Sequence, residues 1–216
     1  MCAIYGTASR EEFFKLYELN KDRGGTAFTF CGIKRNEELH VVKNKLPDLD
    51  ILYERDWDYY LAHDQAPTSS VRKFSEETSH PFHYGRWYVA HNGVLTNYKE
   101  VLDSTNTKEI DSSYIAAYMQ ELDLLPVPYE GYDDIFYETF SAFKGTHACW
   151  IWDDDNKKLF LTKNGSTLFT KGDTFSSVQF ESSKPLLDGW AYEMHFGKGV
   201  IELIKFEDSN PFAVFR

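Results

Sequence analysis

The chain opens with the sequence MCAIYG over residues 1–6, in which a cysteine directly follows the initiator methionine. Cysteine is small, so we expect an aminopeptidase to remove Met1 and to leave Cys2 with both a thiol and an α-amino group. The pKa of such an amine is about 7.7–8.0 and that of a thiol about 8.5, so the amine can act as the base for the thiol near neutral pH. The pattern indicates a nucleophile with its own base. The alternative is that Cys2 is a small buried residue in a first strand over residues 2–5.

Length and composition favour one domain over residues 1–216, with 42% hydrophobic and 17% aromatic residues. The net charge of −11 argues against nucleic acid or an anionic membrane as the main partner. We find neither a signal peptide nor an apolar run of about 18 residues, so we expect a cytoplasmic protein. The three cysteines are widely spaced and odd in number, which predicts no disulfide framework, no metal site and no cofactor.

The periodicity predicts strands at both ends of the chain and helices in the middle. Ser9 and Glu12 form a capping box for a helix that should run to Asn20. This arrangement predicts a mixed α and β chain with largely antiparallel strands. The other predicted elements are a hairpin over 26–34 and 39–43, a strand over 89–91, helices over 96–102, 110–122 and from 133, and strands over 147–152 and 158–162.

An ordered set of short motifs resembles the class II glutamine amidotransferases over about residues 2–187. The resemblance implies a four-layer αββα sandwich of two antiparallel sheets, the fold of the N-terminal nucleophile hydrolases. It also implies that Cys2 attacks the side-chain amide of glutamine. The matching segments are Cys2–Gly6, Asp22–Gly24, Ala62–Thr68, His80–Phe82, His91–Tyr98, Asp111–Ser112, Lys144–Ala148 and Lys163–Leu168.

The Asn92–Gly93 dipeptide has two interpretations. Acyl transfer passes through an oxyanion, which Asn92 could stabilise with a side-chain N–H and Gly93 with a backbone N–H, and the resemblance implies this role. The alternative is a type I′ hairpin turn, which Asn-Gly favours. For the second copy of this dipeptide, Asn164–Gly165, we expect the turn. We interpret His91 as a packing residue.

Two charged residues have roles that the resemblance implies. Arg23 would lie over the nucleophile, where its charge would favour the thiolate. Asp111, at a helix start, would bind the α-amino group of the substrate. The alternatives are a surface arginine at the end of a helix and a simple helix cap.

The segment from Ala62 departs from the resemblance at Gln65, where the family usually has an arginine that binds the α-carboxylate of the substrate. Glutamine can donate a hydrogen bond but lacks the charged fork. Alanines replace glycine and tryptophan at positions 62 and 66 of the same segment. These three differences concern the recognition of glutamine and not the hydrolase chemistry.

Other residues near this segment are also candidates for the substrate pocket. The resemblance implies that His63 and Thr68 belong to the pocket. Arg72 could return a guanidinium to it, although a solvated loop residue is the simpler interpretation.

The sequence thus predicts a glutamine amidohydrolase that forms a γ-glutamyl thioester on Cys2 and releases ammonia. Because the resemblance occupies nearly the whole chain, a synthase partner that receives the ammonia would be a separate subunit. Two alternatives remain open: hydrolysis of another small amide such as a γ-glutamyl conjugate, and a catalytically silent binding domain on the same fold.

Overall fold

Two β-sheets form the centre of the protein, as seen in a computed structural model that describes residues 1–66, 74–102, 110–126, 131–207 and 210. The strands are β1 Ala3–Thr7, β2 Ala27–Ile33, β3 His40–Asn44, β4 Tyr59–Gln65, β5 Phe82–Tyr84, β6 Trp87–Leu95, β7 Gly145–Asp153, β8 Lys158–Asn164, β9 Phe169–Lys171, β10 Thr174–Ser176, β11 Lys184–Pro185, β12 Trp190–His195 and β13 Gly199–Lys205. The α-helices are α1 Arg10–Asn20, α2 Ile51–Glu54, α3 Tyr98–Val101, α4 Asp111–Asp123 and α5 Tyr132–Ala142.

The strand order places the N-terminal strand inside a sheet. One sheet has the order β11-β9-β10-β1-β4-β2-β3 and the other the order β13-β12-β8-β7-β6-β5. All neighbouring strands pair antiparallel, which confirms the prediction. β1 lies between β10 and β4, so residues that follow Cys2 are held by hydrogen bonds on both sides.

Three buried clusters define four layers. Ile4 and Trp150 belong to the cluster between the two sheets. Phe13 of α1 packs on the outer face of the first sheet. Met119 of α4 and Phe136 of α5 pack on the outer face of the second sheet. The αββα sandwich predicted from the sequence is therefore confirmed.

Most predicted elements are present with shifted ends. The Ser9 hydroxyl accepts a hydrogen bond from the Glu12 amide at 3.3 Å, as the capping box predicts, and α1 ends at Asn20 as expected. The first strand extends through the glycine at position 6 to Thr7, because it pairs with β4 over its whole length. The helix predicted over 96–102 is a single turn, Tyr98–Val101.

No helix in the described part of the chain combines the length and apolarity needed to cross a membrane.

Candidate active site

Cys2 is the accessible thiol among the three cysteines. It lies directly before β1 and is partly exposed, whereas Cys31 and Cys149 are fully buried. Burial raises the pKa of the Cys31 thiol far above its usual value and that of Cys149 to about 12. A thiolate is the reactive form, so these two buried thiols are inert at neutral pH. The structure therefore leaves Cys2 as the one candidate nucleophile among the cysteines.

The end of β4 lies against Cys2. The backbone amide of Ala66 donates a hydrogen bond to the Cys2 sulfur, with an N···S distance of 3.4 Å. Ala3 pairs with Asp64 at the end of the β1–β4 register, so Cys2 and Ala66 lie just beyond the last paired residues. The segment that departs from the amidotransferase pattern therefore adjoins Cys2.

Arg23 lies close to Cys2 after the end of α1. Its Nη1 donates to the carbonyl oxygen of Ser177 at 3.1 Å and to the hydroxyl of Thr167 at 3.3 Å. Burial lowers the pKa of Arg23, and the Coulomb interaction with Cys2 opposes that shift. The next residue, Gly24, leaves no room for a side chain, because a Cβ there would lie 2.8 Å from the Cβ of Asp64. This close approach brings the backbone that follows Arg23 against the end of β4.

Asn92 and Gly93 lie inside strand β6 and not in a turn. Both pair with β7, Asn92 with Ala148 and Gly93 with His147, so the hairpin-turn interpretation is wrong. The Asn92 side chain is 2% exposed, and its Nδ2 donates to the hydroxyl of Ser177 at 3.4 Å. A Cβ at position 93 would overlap the carbonyl oxygen of Thr146, so only glycine fits there. By contrast, the second Asn-Gly pair does end a strand, with Gly165 at φ +75°.

Ser177 joins these groups and was missed by the sequence reasoning. It is 1% exposed. Its hydroxyl accepts hydrogen bonds from the backbone amide of Ile4 at 3.0 Å and from Asn92 at 3.4 Å. One serine after a short predicted strand carries no signal in the sequence. Only the pairing of β10 with β1 brings it to the site.

Asp111 is the first residue of α4, as the resemblance implies, and it lies at the end of β6. Its Oδ2 accepts a hydrogen bond from the Leu95 amide at 3.0 Å, and its Oδ1 accepts one from the Ser112 amide at 2.8 Å. A carboxylate has about four acceptor positions, so these bonds leave capacity for a further donor. The residue is partly exposed.

Gln65 is 2% exposed, and its side chain is directed away from solvent. Its Nε2 donates to the carbonyl oxygen of Thr78 at 3.3 Å, which uses one of its two N–H groups. The Gln65 side chain thus forms a hydrogen bond within the protein, at the position where the resemblance has a charged arginine. Thr68 and Arg72 lie in residues 67–73, outside the described residues.

The histidines near the site are buried. His63 is 0% exposed, its Nε2 is 3.2 Å from the carbonyl oxygen of His91, and its ring stacks on His80 at 3.9 Å between centroids. Burial lowers the pKa of His91 and lowers that of His147 to about 3. These last two rings are therefore neutral at physiological pH.

Asp64 is a second residue that the sequence reasoning missed. It is 3% exposed and lies on the helix-facing side of β4, beside Tyr5. Burial raises its pKa to about 7, and the Tyr5 hydroxyl opposes part of the shift. A carboxyl group that titrates near neutral pH therefore lies under the Gly24 backbone that carries Arg23.

The following sequence relatives and solved structures that this chain resembles are all named as glutamine aminotransferases or amidotransferases. No family model matches the chain. It is 27% identical over 195 residues to the glutamine–fructose-6-phosphate aminotransferase (isomerizing) of Bacillus subtilis, an alignment that covers 82% of this chain and 32% of that protein. The relative from Oceanobacillus iheyensis with the same name is 26% identical over 65% of this chain and 24% of its own length. The chain thus spans about a quarter to a third of the length of these curated relatives.

The fold matches solved structures at low sequence identity. The glutamine phosphoribosylpyrophosphate amidotransferase of B. subtilis superposes with a TM-score of 0.67 at 14% identity, covering 94% of this chain and 49% of that one. A glutamine aminotransferase class-II domain protein of Silicibacter pomeroyi gives a TM-score of 0.56 at 14% identity, covering 97% and 99%. The chain is therefore similar in sequence to part of these aminotransferases and similar in fold to these amidotransferase structures.

Proposed function

We propose that this chain is a glutamine amidohydrolase whose nucleophile is Cys2. The observation that supports this best is that the Cys2 thiol, the Arg23 guanidinium and the Asn92 side-chain amide lie close together around Ser177 and the start of β1. Arg23 and Asn92 both donate to Ser177, and Ser177 in turn pairs with β1 two residues after Cys2. These are the groups that acyl transfer from an amide needs: a nucleophile, a charge that favours its thiolate, and a donor for the oxyanion.

The proposed reaction begins with removal of Met1, whose 85% exposure leaves it open to a peptidase. The α-amino group of Cys2 then takes the proton of the thiol, and the sulfur attacks the side-chain carbonyl carbon of glutamine. Asn92 and Gly93 would stabilise the oxyanion through the second N–H of the Asn92 amide and the Gly93 backbone N–H. The C–N bond breaks, the amine returns its proton to the leaving nitrogen, and ammonia departs. Water then hydrolyses the γ-glutamyl thioester to glutamate.

The substrate's polar groups would meet residues around this centre. We propose that Asp111 accepts the α-ammonium group with its remaining acceptor capacity, and that Gln65 and Thr68 belong to the α-carboxylate side. His63 is fully buried and bonded to the His91 carbonyl, so we assign it to the support of the pocket and not to direct contact with substrate.

The fate of ammonia is also a proposal. We infer that residues 1–216 act as one glutamine amidotransferase domain, which releases ammonia or passes it to a separate synthase subunit. The nucleophile must stay reduced, which a cytoplasmic location would ensure.

A second substrate class is favoured by one observation. Gln65 offers no charge to an α-carboxylate and already donates to the Thr78 carbonyl. Another small amide that lacks an α-carboxylate would fit this site with the same chemistry. A γ-glutamyl conjugate keeps that carboxylate, but its larger leaving group would add contacts that glutamine does not make.

The direct test measures ammonia release from glutamine by wild type, by Cys2→Ala and by the matched control Cys31→Ala. We expect the Cys2 variant to release none and the Cys31 variant to keep the wild-type rate, because the Cys31 thiol is fully buried. Release of ammonia by Cys2→Ala at the wild-type rate would refute the proposal.

A further inference from the structure

We propose that Ser177 is a positioning residue that orients the Asn92 amide toward the oxyanion and holds it in register with the nucleophile strand. This inference rests on the proposed function for its kinetic consequences. The contacts that support it belong to the folded chain and need no substrate.

The hydroxyl of Ser177 is fixed from two sides. It accepts the backbone N–H of Ile4 at 3.0 Å and the side-chain N–H of Asn92 at 3.4 Å. A serine oxygen has two acceptor positions, so both are occupied. The oxygen therefore sits at a defined point between β1, which follows the nucleophile, and β6, which carries the oxyanion donor.

The backbone of Ser177 adds two further links. Its N–H donates to the Ile4 carbonyl at 2.9 Å. Its carbonyl oxygen accepts from Arg23 at 3.1 Å and from Thr167 at 2.8 Å. One residue thus sets the relative positions of the nucleophile strand, the guanidinium and the oxyanion donor.

The consequence for catalysis comes through the orientation of the Asn92 amide. Its nitrogen carries two N–H groups, and the bond to Ser177 uses one of them. The other N–H is left for the oxyanion, while a flipped amide would present its oxygen and repel the developing charge. The hydrogen bond from Asn92 Nδ2 to the Ser177 hydroxyl is formed in the productive orientation of the amide, and it holds that orientation before substrate binds.

The neighbouring Ser176 supplies a matched control. It is 0% exposed, and its hydroxyl also accepts two hydrogen bonds, from Asn20 at 2.9 Å and from the Val178 amide at 3.0 Å. These bonds lie on the helix-facing side of the first sheet. Ser176→Ala therefore removes a hydroxyl that accepts the same number of hydrogen bonds as that of Ser177, but it does so away from Cys2 and Asn92.

The test is a double-mutant cycle on glutamine hydrolysis with Ser177→Ala, Asn92→Ala and the pair. We expect Ser177→Ala to lower kcat about tenfold, the upper range for a lost neutral hydrogen bond, with KM nearly unchanged. Ser176→Ala should keep kcat. In the Asn92→Ala background, Ser177→Ala should have no further effect, because no amide remains to orient. The proposal is overturned by equal kcat values for the two serine variants, or by a tenfold loss that persists without Asn92.

Alkylation by iodoacetamide distinguishes an effect of Ser177 on the Asn92 amide from an effect on the Cys2 thiol. In this reaction the C–S bond forms, the C–I bond breaks and iodide leaves, so no oxyanion develops. Ser177→Ala should therefore alkylate Cys2 at the wild-type rate. A slower rate would mean that Ser177 acts on the thiol, which overturns the assignment to Asn92.

Two further measurements keep the proposal testable. If wild type hydrolyses no glutamine, the proposed function fails, and proton exchange of the ¹⁵N-labelled Asn92 side-chain amide decides the role of Ser177. We expect exchange to be faster in Ser177→Ala than in wild type and Ser176→Ala, and unchanged exchange overturns the proposal.

If Ser177→Ala does not fold, Ser177→Cys replaces it, because cysteine has nearly the same volume and a weaker acceptor. A wild-type kcat in Ser177→Cys overturns the proposal.

Discussion

The backbone amide of Ala66 donates a hydrogen bond to the sulfur of Cys2 at 3.4 Å. The residue before Ala66 is Gln65, which stands where the amidotransferase pattern has arginine. A change of charge at position 65 therefore changes the segment whose backbone contacts Cys2, and we expect it to alter substrate binding more than the chemical step.

We expect Gln65→Arg to lower KM for glutamine about 5- to 30-fold with little change in kcat. A hydrogen bond to a charged group contributes about 1.5–3 kcal/mol against about 0.5–1.5 for a neutral one, and about 1.4 kcal/mol is tenfold in affinity. Steady-state kinetics measure the change. An α-carboxyl-blocked glutamine is the control, and an equal gain on that analogue would show that arginine is not acting on the carboxylate.

Arg23→Gln should slow the alkylation of Cys2 by iodoacetamide about tenfold at pH 7. If the charge of Arg23 favours the thiolate of Cys2, as proposed, a loss of about 1.4 kcal/mol of charge stabilisation lowers the thiolate fraction tenfold. Arg10→Gln is the matched control, since Arg10 pairs with exposed Asp56. Equal alkylation rates in the two variants would contradict the role of Arg23.

Asn92→Ala should lower kcat about 10²–10³-fold, equal to about 2.7–4 kcal/mol, and leave KM nearly unchanged. The donor acts on charge that exists only in the transition state, so ground-state binding is spared. Asn97→Ala is the control, because that side chain bonds the Ala142 carbonyl and the Lys144 amide. An effect of Asn92→Ala on KM alone would make it a ground-state ligand.

Stability should fall as pH rises because of Asp64. Burial raises the pKa of Asp64 from 3.8 to about 7, so the folded state holds this proton more tightly than the unfolded state. The contribution of Asp64 to the free energy of unfolding therefore falls by up to about 4 kcal/mol between about pH 4 and 7. The loss is complete above the pKa of Asp64 in the folded state. Urea unfolding of wild type and Asp64→Asn from pH 4 to 8 measures it.

In that experiment the stability of Asp64→Asn relative to wild type should rise with pH. Asp58→Asn is the control, because hydrogen bonds from the Arg35 amide and Lys34 hold the pKa of Asp58 below its usual value. It titrates below the tested range. Parallel pH profiles for wild type and Asp64→Asn would contradict the assignment.

Local signals in the sequence were sufficient for much of the fold. The Ser9 capping box predicted α1 because the cap acts within four residues, and antiparallel strands followed from short periodic segments. The Asn92–Gly93 dipeptide was ambiguous, since the same two residues suit a hairpin turn or a strand against Thr146, and only the β6–β7 pairing decides between them. Ser177 and Asp64 could not be predicted, because their roles depend on contacts with Asn92, Ile4 and Gly24 across the sheets.

The most direct test of the nucleophile is intact-mass analysis after treatment with a diazoketone analogue of glutamine, followed by peptide mapping. We predict one adduct per chain, on molecules that lack Met1, located on Cys2 and prevented by excess glutamine. The Cys2→Ser variant should remain unmodified. An adduct on Cys31 or Cys149, or full ammonia release by chains that retain Met1, would contradict the account.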